Sequence, residues 1–376
     1  MTRIGFAYNQ KPEPTVGLVS ATSSEPRPEE EPPSIDDAYA EWDSAETIDA
    51  VASALSAYGE VIRLEATEEF PERLRAERPD IVFNIAEGLR GPNREAHVPA
   101  ICEFYDVAYS GSDPFTLSLC LDKARTKDVL SVNGIPNAPY TLIDCESSLE
   151  SWMRAARAPL ATPTAPLFLK PVQEGSSKGI TERNLVRNDD ELESQARFLL
   201  ETYAQPVIAE SFLTGAEFTC GVLGNGNGAR VLPLVSINFG SLPAGAVPIY
   251  GYEAKWIWDT PADPLDIFEC PARIDARLQS AIEDVVLRAY RVLGCRDWSR
   301  IDVRLDTAGV PNIVEVNPLP GILPNPEDNS CLPKAARAAG IGYDELIQTA
   351  LLAAAERNHV SMHVARRPSL ATQGAA

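Results

Sequence analysis

Three side chains with oxygen donors lie in one short stretch of the sequence, RIDVRLDTAGVPNIVEVNPLPG, at residues 300–321. Polar and apolar residues alternate on both sides of a central turn, which predicts two paired β-strands with Asp302, Glu315 and Asn317 on one face. Hard cations such as Mg²⁺ prefer oxygen donors and commonly arrive bridged to substrate phosphates. Arg300 would lie on the same face, where it could stabilise developing negative charge. An ordinary surface hairpin is the alternative.

A glycine- and serine-rich loop follows a predicted strand in FLKPVQEGSSKG, residues 168–179. Lys170 and the successive backbone amides around Ser176 and Ser177 could surround phosphate oxygens, because glycines permit a close approach. The pattern differs from the P-loop of nucleotide-binding proteins, since Lys178 precedes the second glycine. A flexible hairpin loop without a ligand is the alternative.

Another segment carries acids that suit a nucleoside. In VIAESFLTGAEFTCG, residues 207–221, Glu210 and Glu217 could accept hydrogen bonds from an adenine amino group and a ribose hydroxyl. Phe212 and Leu213 lie between them and offer apolar contact. An edge strand with solvated acids is the alternative.

Lys255 lies among aromatic residues in IYGYEAKW, residues 249–256, where it could hold an anionic ligand or extend along the surface. The chain has only three histidines, His97, His359 and His363, so imidazole chemistry is not expected. A candidate phosphate loop, several lysines and a candidate magnesium hairpin together indicate phosphoryl transfer by positioning and electrostatics.

The composition excludes several classes of protein. Hydrophobic residues make up 44% and charged residues 23% of the 376 residues, as in ordinary globular chains. The formal net charge of −21 argues against nucleic-acid binding, which needs a basic face. The seven cysteines contain no C-x-x-C pair, so neither a zinc site nor a disulfide framework is expected. No apolar run reaches the roughly 18 residues of a membrane span, so we expect no membrane contact and a cytoplasmic location.

The order of predicted elements indicates an α/β protein. Strands in RIGFAY and DIVFNI alternate with helices, the first of which is predicted to begin at Ser44 and to end at Gly59. Such alternation implies a parallel sheet covered on both faces, with functional groups on loops at the carboxyl ends of its strands. A Pro- and Glu-rich insertion near residues 12–33 is unable to pack a core.

Eight short segments resemble, in the same order, those of the D-alanine–D-alanine ligases and their relatives in the ATP-grasp superfamily. They are FN…EG at 83–88, YSGSDP at 109–114, LDKARTK at 121–127, KPVQEGSSKG at 170–179, AESFLTGAEFT at 209–219, YEAKW at 252–256, SRIDVRLD at 299–306 and VEVNPLPG at 314–321. The resemblance implies the ATP-grasp fold, in which an N-terminal parallel α/β domain precedes two domains that hold ATP between antiparallel sheets.

We expect the chain to divide accordingly. The predicted segments are an N-terminal α/β domain at 1–119, a central domain with the mobile glycine/serine loop at 120–206, a C-terminal domain with the hairpin at 207–360 and a disordered tail at 361–376.

The resemblance also implies roles for individual residues. The residues implied in ATP binding are Lys123, Lys170, Ser176, Ser177, Glu210, Phe212, Leu213, Glu217 and Lys255. The implied ligands of magnesium, expected as two Mg²⁺ ions with Mn²⁺ as a substitute, are Asp302, Glu315 and Asn317. The implied catalytic residues are Arg300, Gly321, Ser176 and Lys255, of which Arg300 and Gly321 would stabilise a tetrahedral intermediate.

Four departures from the family pattern concern the substrates. Glu87 stands where the family often has His, Trp256 stands where Tyr is common, and the segment before Ser330 is longer and more acidic. The glutamate-containing amino-terminal loop that receives the first amino acid's ammonium group is absent. We take Glu87, Trp256 and Ser330 as candidate substrate contacts.

The sequence therefore predicts an ATP-dependent carboxylate–amine ligase. It would join two small amino-acid-like substrates through an acyl phosphate, giving a dipeptide or amino-acid amide with ADP and phosphate. The alternatives are a γ-glutamyl or L-amino-acid dipeptide ligase of specialised metabolism, an authentic D-Ala-D-Ala ligase and a non-catalytic nucleotide-binding regulator. The relatives are often dimers, which implies a homodimer.

Overall fold

The computed structural model describes residues 2–12, 39–154, 166–251, 253–258 and 265–364. Apart from residue 12, the predicted insertion at 12–33 lies outside these residues, and so does the predicted tail beyond residue 364.

The first sheet contains four parallel strands in the order β2–β1–β3–β4. Its strands are β1 (Thr2–Tyr8), β2 (Gly59–Glu65), β3 (Ile81–Asn84) and β4 (Ala108–Tyr109), and its helices are α1 (Ala45–Leu55), α2 (Phe70–Glu77) and α3 (His97–Phe104). β3 is buried along its whole length, as expected for a parallel strand covered on both faces. The predicted α/β class is confirmed.

Gly59 has a different role from the one that the sequence suggested. α1 begins after Ser44, whose hydroxyl accepts a hydrogen bond from the Thr47 amide at 3.2 Å, but it ends at Leu55. Gly59 instead begins β2, where a Cβ atom would lie 2.1 Å from the carbonyl oxygen of Thr2 in the neighbouring strand. Close approach of two strands therefore requires glycine here.

The second sheet is antiparallel, with the strand order β5–β8–β6–β7. Its strands are β5 (Tyr140–Ile143), β6 (Leu167–Pro171), β7 (Leu185–Val186) and β8 (Val207–Ser211), covered by helices α6 (Glu146–Arg154) and α7 (Asp189–Tyr203). Leu167 and Leu169 pack in the core under these helices. Because side chains alternate along a strand, Phe168 and Lys170 face the opposite side.

Helices α4 (Pro114–Leu121) and α5 (Lys123–Val132) lie between these two sheets in the sequence. α5 begins at Asp122, whose carboxylate accepts a hydrogen bond from the Arg125 amide at 2.9 Å. This cap places Lys123 in the first helical turn, next to the amino end of the helix.

The third sheet has six strands along the path β12–β11–β9–β13–β14, with β10 paired to β9. Its strands are β9 (Glu217–Leu223), β10 (Arg230–Val231), β11 (Val235–Ile237), β12 (Phe268–Glu269), β13 (Trp298–Leu305) and β14 (Pro311–Asn317), and helices α8 (Ala276–Val292) and α9 (Cys331–Ala338) pack against it. The last helix, α10 (Tyr343–Arg357), packs mainly against α1 beside the first sheet. Ile301 and Val303 of β13 pack with α8 in the core, so Arg300, Asp302 and Arg304 face the other side.

The polar faces of the two antiparallel sheets line one cavity between them. This is the arrangement that the resemblance predicts, and it confirms the ATP-grasp architecture. The domain boundaries at residues 119, 206 and 360 stay a prediction.

Asp297 connects the first sheet to the third sheet. Its side chain is fully buried and accepts hydrogen bonds from the Gly111 amide at 2.8 Å, from Asn225 at 2.7 Å and from Arg357 at 2.8 Å. A buried carboxylate needs such partners, since an unpaired one would be strongly destabilising.

Within the described part of the chain, no helix is long and apolar enough to cross a membrane.

Candidate active site

A cavity of about 350 Å³ lies between the second and third sheets and reaches the loops of the first. It brings together all but one of the residues that the sequence singled out. Those lining it are Glu87, Lys123, Lys170, Ser176, Ser177, Glu210, Phe212, Leu213, Glu217, Lys255, Arg300, Asp302, Glu315, Asn317, Gly321 and Ser330. Trp256 belongs to a short helical turn, Ala254–Trp258, but its side chain lies outside what the structure describes.

The hairpin of β13 and β14 has the register that the alternation predicts. Asp302 lies opposite Glu315 and Arg300 lies opposite Asn317, with a β-bulge immediately after Asp302. On its other side β13 pairs with β9, and the Thr219 hydroxyl donates a hydrogen bond to the Asp302 carboxylate at 2.7 Å. Three neighbouring strands thus hold the polar row in place.

The two carboxylates of the hairpin are paired with cations. Glu315 lies 2.8 Å from the Lys123 ammonium, and Asp302 accepts a hydrogen bond from Arg300 at 3.0 Å. Burial alone would raise the pKa of Glu315, but Lys123 and Lys170 outweigh burial and lower it. Glu315 is therefore held ionised, as a ligand of a divalent cation must be.

Asn317 and Arg300 each have a buried nitrogen, Nδ2 and Nε, without a hydrogen-bond partner among the described residues. Side chains with carboxylate and amide oxygens, here two acids and one amide, suit magnesium and calcium better than zinc. Within the described residues no group of three His, Cys, Asp or Glu side chains could hold a metal by itself. The donor set therefore fits a cation that is partly ligated by phosphate oxygens.

Glu210 bridges two buried lysines. Its carboxylate lies 2.7 Å from the Lys170 ammonium and 2.8 Å from that of Lys127. Burial would raise the pKa of Glu210, but the two lysines hold it at about 2. Sequence reasoning missed Lys127, although its spacing of four residues from Lys123 places both on one face of α5.

Arg304 organises the end of the cavity that is predicted to hold adenine. Its guanidinium donates to the Glu217 carboxylate at 2.9 Å and to the carbonyl oxygen of Pro248 at 2.9 Å. The same guanidinium stacks over the Phe212 ring, 4.6 Å from its centre. Glu217 is thus already engaged by a cation, and Phe212 is fixed as an apolar wall.

The glycine/serine loop between β6 and β7 has an unusual backbone. Ser176 and Ser177 both adopt the left-handed region, with φ of 49° and 62°. Non-glycine residues seldom adopt this conformation, and it occurs where the surroundings hold it in place. The Ser177 hydroxyl donates to the carbonyl oxygen of Tyr250 at 3.3 Å, which ties the loop to the segment before Lys255.

Glu41 holds the same loop from the N-terminal side. It accepts hydrogen bonds from the Gly175 amide at 2.9 Å and from Arg94 at 2.9 and 3.1 Å, and the Lys178 ammonium lies 3.4 Å away. Contrary to the expectation from the sequence, the N-terminal part of the chain therefore supplies a glutamate to the cavity. The sequence around Glu41 does not indicate that it lines the cavity, because Glu41 follows the predicted insertion and its partners are far away in the sequence.

Four carboxyl groups form one wall of the cavity, which we call the acidic wall: Glu41, Asp43, Glu87 and Glu95. Burial raises the pKa of Glu87 well above its usual value, and the neighbouring Glu95 and Glu41 add to the effect. Burial likewise raises the pKa of Glu95 to about 8 against the opposing charge of Arg94, and that of Asp43 to about 7 against Lys11. Only Glu87 was predicted from the sequence.

Two further residues predicted from the sequence meet at the end of the hairpin. The Ser330 hydroxyl donates to the carbonyl oxygen of Gly321 at 3.3 Å and accepts from the Leu323 amide at 3.2 Å. Ser330 thus closes the loop that follows β14, and both residues line the cavity.

A family model, the D-ala D-ala ligase C-terminus, matches residues 129–352. A D-alanine–D-alanine ligase of Cupriavidus taiwanensis is 31% identical over 287 residues, which cover 76% of this chain and 78% of the relative. The chain belongs to the D-alanine–D-alanine ligase family. It is accordingly an ATP-grasp enzyme, an ATP- and divalent-metal-dependent ligase that forms a C–N bond between a carboxylate and an amine.

Other similar proteins include an uncharacterised protein, y4sG, of Sinorhizobium fredii, which is 30% identical over 81% of this chain and 86% of its own length. Among solved structures, the D-alanine–D-alanine ligase of Bacillus anthracis complexed with ATP has a TM-score of 0.65 and 21% identity, covering 96% of this chain and 99% of that one. The VanG D-Ala:D-Ser ligase of Enterococcus faecalis has a TM-score of 0.66 and 21% identity, covering 94% and 99%. Because the sequence identities are this low, the structural matches support only the fold.

Proposed function

We propose that this ligase joins two amino-acid-like substrates, neither of which need be D-alanine, into a dipeptide or amino-acid amide. One observation carries the proposal. The Asp302–Glu315 pair lies across a hairpin in the same cavity as Lys123 and Lys170, between two antiparallel sheets. Such a cavity combines cation ligands and phosphate-binding lysines, as phosphoryl transfer needs.

In the first step, the γ-phosphoryl group of ATP would move to a substrate carboxylate oxygen, giving an acyl phosphate and ADP. Lys123, Lys170 and Lys255 would neutralise the phosphate oxygens. Asp302, Glu315 and Asn317 would hold two Mg²⁺ ions, or Mn²⁺ as a substitute, which supply further charge neutralisation when bound.

In the second step, the amine nitrogen of the other substrate would attack the acyl carbon. A C–N bond forms, phosphate leaves and the amine gives up a proton. Arg300 lies on the cavity face of β13, where its guanidinium would stabilise the oxyanion of the tetrahedral intermediate together with the backbone amide of Gly321. The loop around Ser176 and Ser177 would exclude water, which would otherwise hydrolyse the acyl phosphate.

We expect the choice of substrates to distinguish this chain from its named relatives. Those relatives are called D-alanine–D-alanine ligases. Here Glu87 joins three other carboxyl groups in the acidic wall, and the segment that ends at Ser330 contains two acids, Glu327 and Asp328. An environment with this many carboxyl groups favours amino acids other than alanine.

We also propose that the protein acts as a homodimer and, since it uses ATP, in the cytoplasm.

A screen of amino-acid pairs for ADP release, with product masses recorded, tests the proposal. We expect at least one pair to raise ADP release well above the rate without substrates and to give a product whose mass equals the sum of the pair minus water. A product from D-alanine alone would identify an authentic D-Ala-D-Ala ligase. Activation of a glutamate side chain would identify the γ-glutamyl alternative. No ADP release with any pair would support a nucleotide-binding regulator.

The affinity for ATP is expected to depend on pH through Lys255. Burial, together with the neighbouring positive charges of Arg300 and Lys11, lowers the pKa of Lys255 to about 8. Only the protonated lysine attracts phosphate, so nucleotide binding takes up a proton above this pKa, and the Kd should rise by up to about tenfold per pH unit.

Calorimetric titration with a nonhydrolysable ATP analogue between pH 7 and 9.5 measures this dependence. Arginine stays charged throughout, so the Lys255→Arg variant should give a flatter profile than the wild type. Equal slopes for the two proteins would contradict the assignment of Lys255 to the phosphates.

A further inference from the structure

The acidic wall is assembled from segments that are distant in the sequence. Gly88, which follows Glu87, accepts a hydrogen bond from the Trp42 indole at 3.0 Å, and its amide donates to Asn9 at 2.8 Å. A Cβ atom at Gly88 would lie only 2.4 Å from the carbonyl oxygen of Arg94, so the backbones beside Glu87 and Glu95 are in direct contact. Hydrogen bonds and backbone contacts therefore hold the acidic wall in place in the cavity.

Two of the four carboxyl groups have cations of their own. Glu41 is paired with Arg94 and approached by Lys178, which is also bound to Glu174 at 2.7 Å. Asp43 is opposed by the charge of Lys11, whose backbone amide donates to the Asp43 carbonyl oxygen at 2.8 Å.

Glu87 and Glu95 have no such partner. Among the residues that the structure describes, none forms a hydrogen bond or an ion pair with either side-chain carboxyl group, although Glu95 is only 8% exposed and lines the cavity. The two cations whose charges act on Glu95, Arg94 and Lys123, are bound to other groups. Arg94 donates to Glu41 and to the Gln173 carbonyl oxygen, and Lys123 donates to the Glu174 carbonyl oxygen and is paired with Glu315.

A buried carboxylate without a partner costs several kcal/mol, so it holds a proton or receives a cation from a ligand. The α-ammonium group of an amino-acid substrate would compensate one of the two carboxylates and leave the other. An anionic nucleotide would be repelled. The acids of this wall also form no group of three that could hold a metal ion, within the described residues.

We propose that the substrate seated against the acidic wall carries a second positive charge, on a side-chain ammonium or guanidinium, which Glu87 and Glu95 receive. The substrate class is thus basic or diamino acids. This inference rests on the proposed function, because it assigns one substrate of that reaction. Glu87 and Glu95 act as specificity residues, since they discriminate between charged and neutral side chains of similar length.

The test compares cationic and neutral amino acids of matched length in the ligase assay: lysine, ornithine and 2,4-diaminobutyrate against norleucine, norvaline and 2-aminobutyrate, in both stereochemical forms. We expect kcat/KM to be at least about 100-fold higher for the best cationic substrate than for its neutral match. Glu87→Gln and Glu95→Gln should each reduce this ratio about tenfold or more, with the KM for ATP little changed. The exposed Glu72 on α2 offers a matched control, Glu72→Gln, which should leave the ratio unchanged.

A binding measurement decides the inference separately from the reaction. Calorimetric titration of the wild-type protein, with a nonhydrolysable ATP analogue present, should show tighter binding of lysine than of norleucine, and 1,5-diaminopentane should compete with lysine better than pentylamine does. Equal affinities, or equal kcat/KM values for charged and neutral substrates, would overturn the inference while leaving the proposed ligase function intact. No product from any pair would instead count against the proposed function, and the titration would still decide whether the wall selects cations.

Discussion

Replacing Arg300 by alanine is expected to lower kcat for amide formation by about three orders of magnitude, because the guanidinium would stabilise charge that develops only in the transition state. Its position on the cavity face of β13, next to Asp302 at 3.0 Å, supports this role. The KM values should change much less than kcat. Glu315→Ala is expected to cause a loss of similar size, since it removes a proposed cation ligand.

Steady-state kinetics with product detection measures the effect, and thermal unfolding shows whether each variant is folded. Arg273, whose side chain is 88% exposed, provides the matched control, and Arg273→Ala should retain wild-type turnover. Near-wild-type kcat in folded Arg300→Ala would refute the catalytic assignment, and near-wild-type kcat in Glu315→Ala would refute the cation-binding one.

Replacing Asp297 by alanine is expected to reduce the free energy of unfolding by about 3–5 kcal/mol, because it leaves the charge of Arg357 without its buried partner. It also leaves the Gly111 amide and Asn225 without an acceptor. Asp297 has a φ of 65°, a conformation that asparagine tolerates better than alanine. Asp297→Asn should therefore lose less stability than the alanine variant.

Urea unfolding gives these free energies. Asp284→Ala is the control, since its pair with Arg288 lies at the surface, 3.6 Å apart, with the Asp284 side chain 68% exposed. It should change stability by less than about 1 kcal/mol. A loss of similar size in both alanine variants would mean that Asp297 does not hold the first and third sheets together as inferred.

The hairpin of the site was predictable because its information is local. Alternation of polar and apolar residues fixes which side chains share a face of a strand, and the turn between β13 and β14 brings Asp302 opposite Glu315. The neighbouring strand that supports Asp302 could not be predicted in this way. Thr219 joins this row only because β9 pairs with β13, and strand pairing between distant segments leaves no local pattern.

The acidic wall was predictable only at Glu87, where the sequence departs from its family. Glu41 meets Arg94 and Gly175 through the packing of three separate segments, and neither contact has a signature in composition or spacing. At Gly59 a local pattern was present but led to the wrong prediction. A glycine at a predicted helix end is usually a cap, but here the approach of Thr2 in the next strand determines its role.

The contact between Glu41 and Gly175 restricts how the chain can vary. A Cβ atom at position 175 would lie 2.4 Å from the Glu41 carboxylate, so a side chain here would displace a carboxylate that Arg94 also holds. We therefore expect substitutions at positions 41 and 175 to be tolerated only when both residues are changed together. A chimera that took its first 100 or so residues from a relative without this glutamate would inherit a loop fitted to a missing partner.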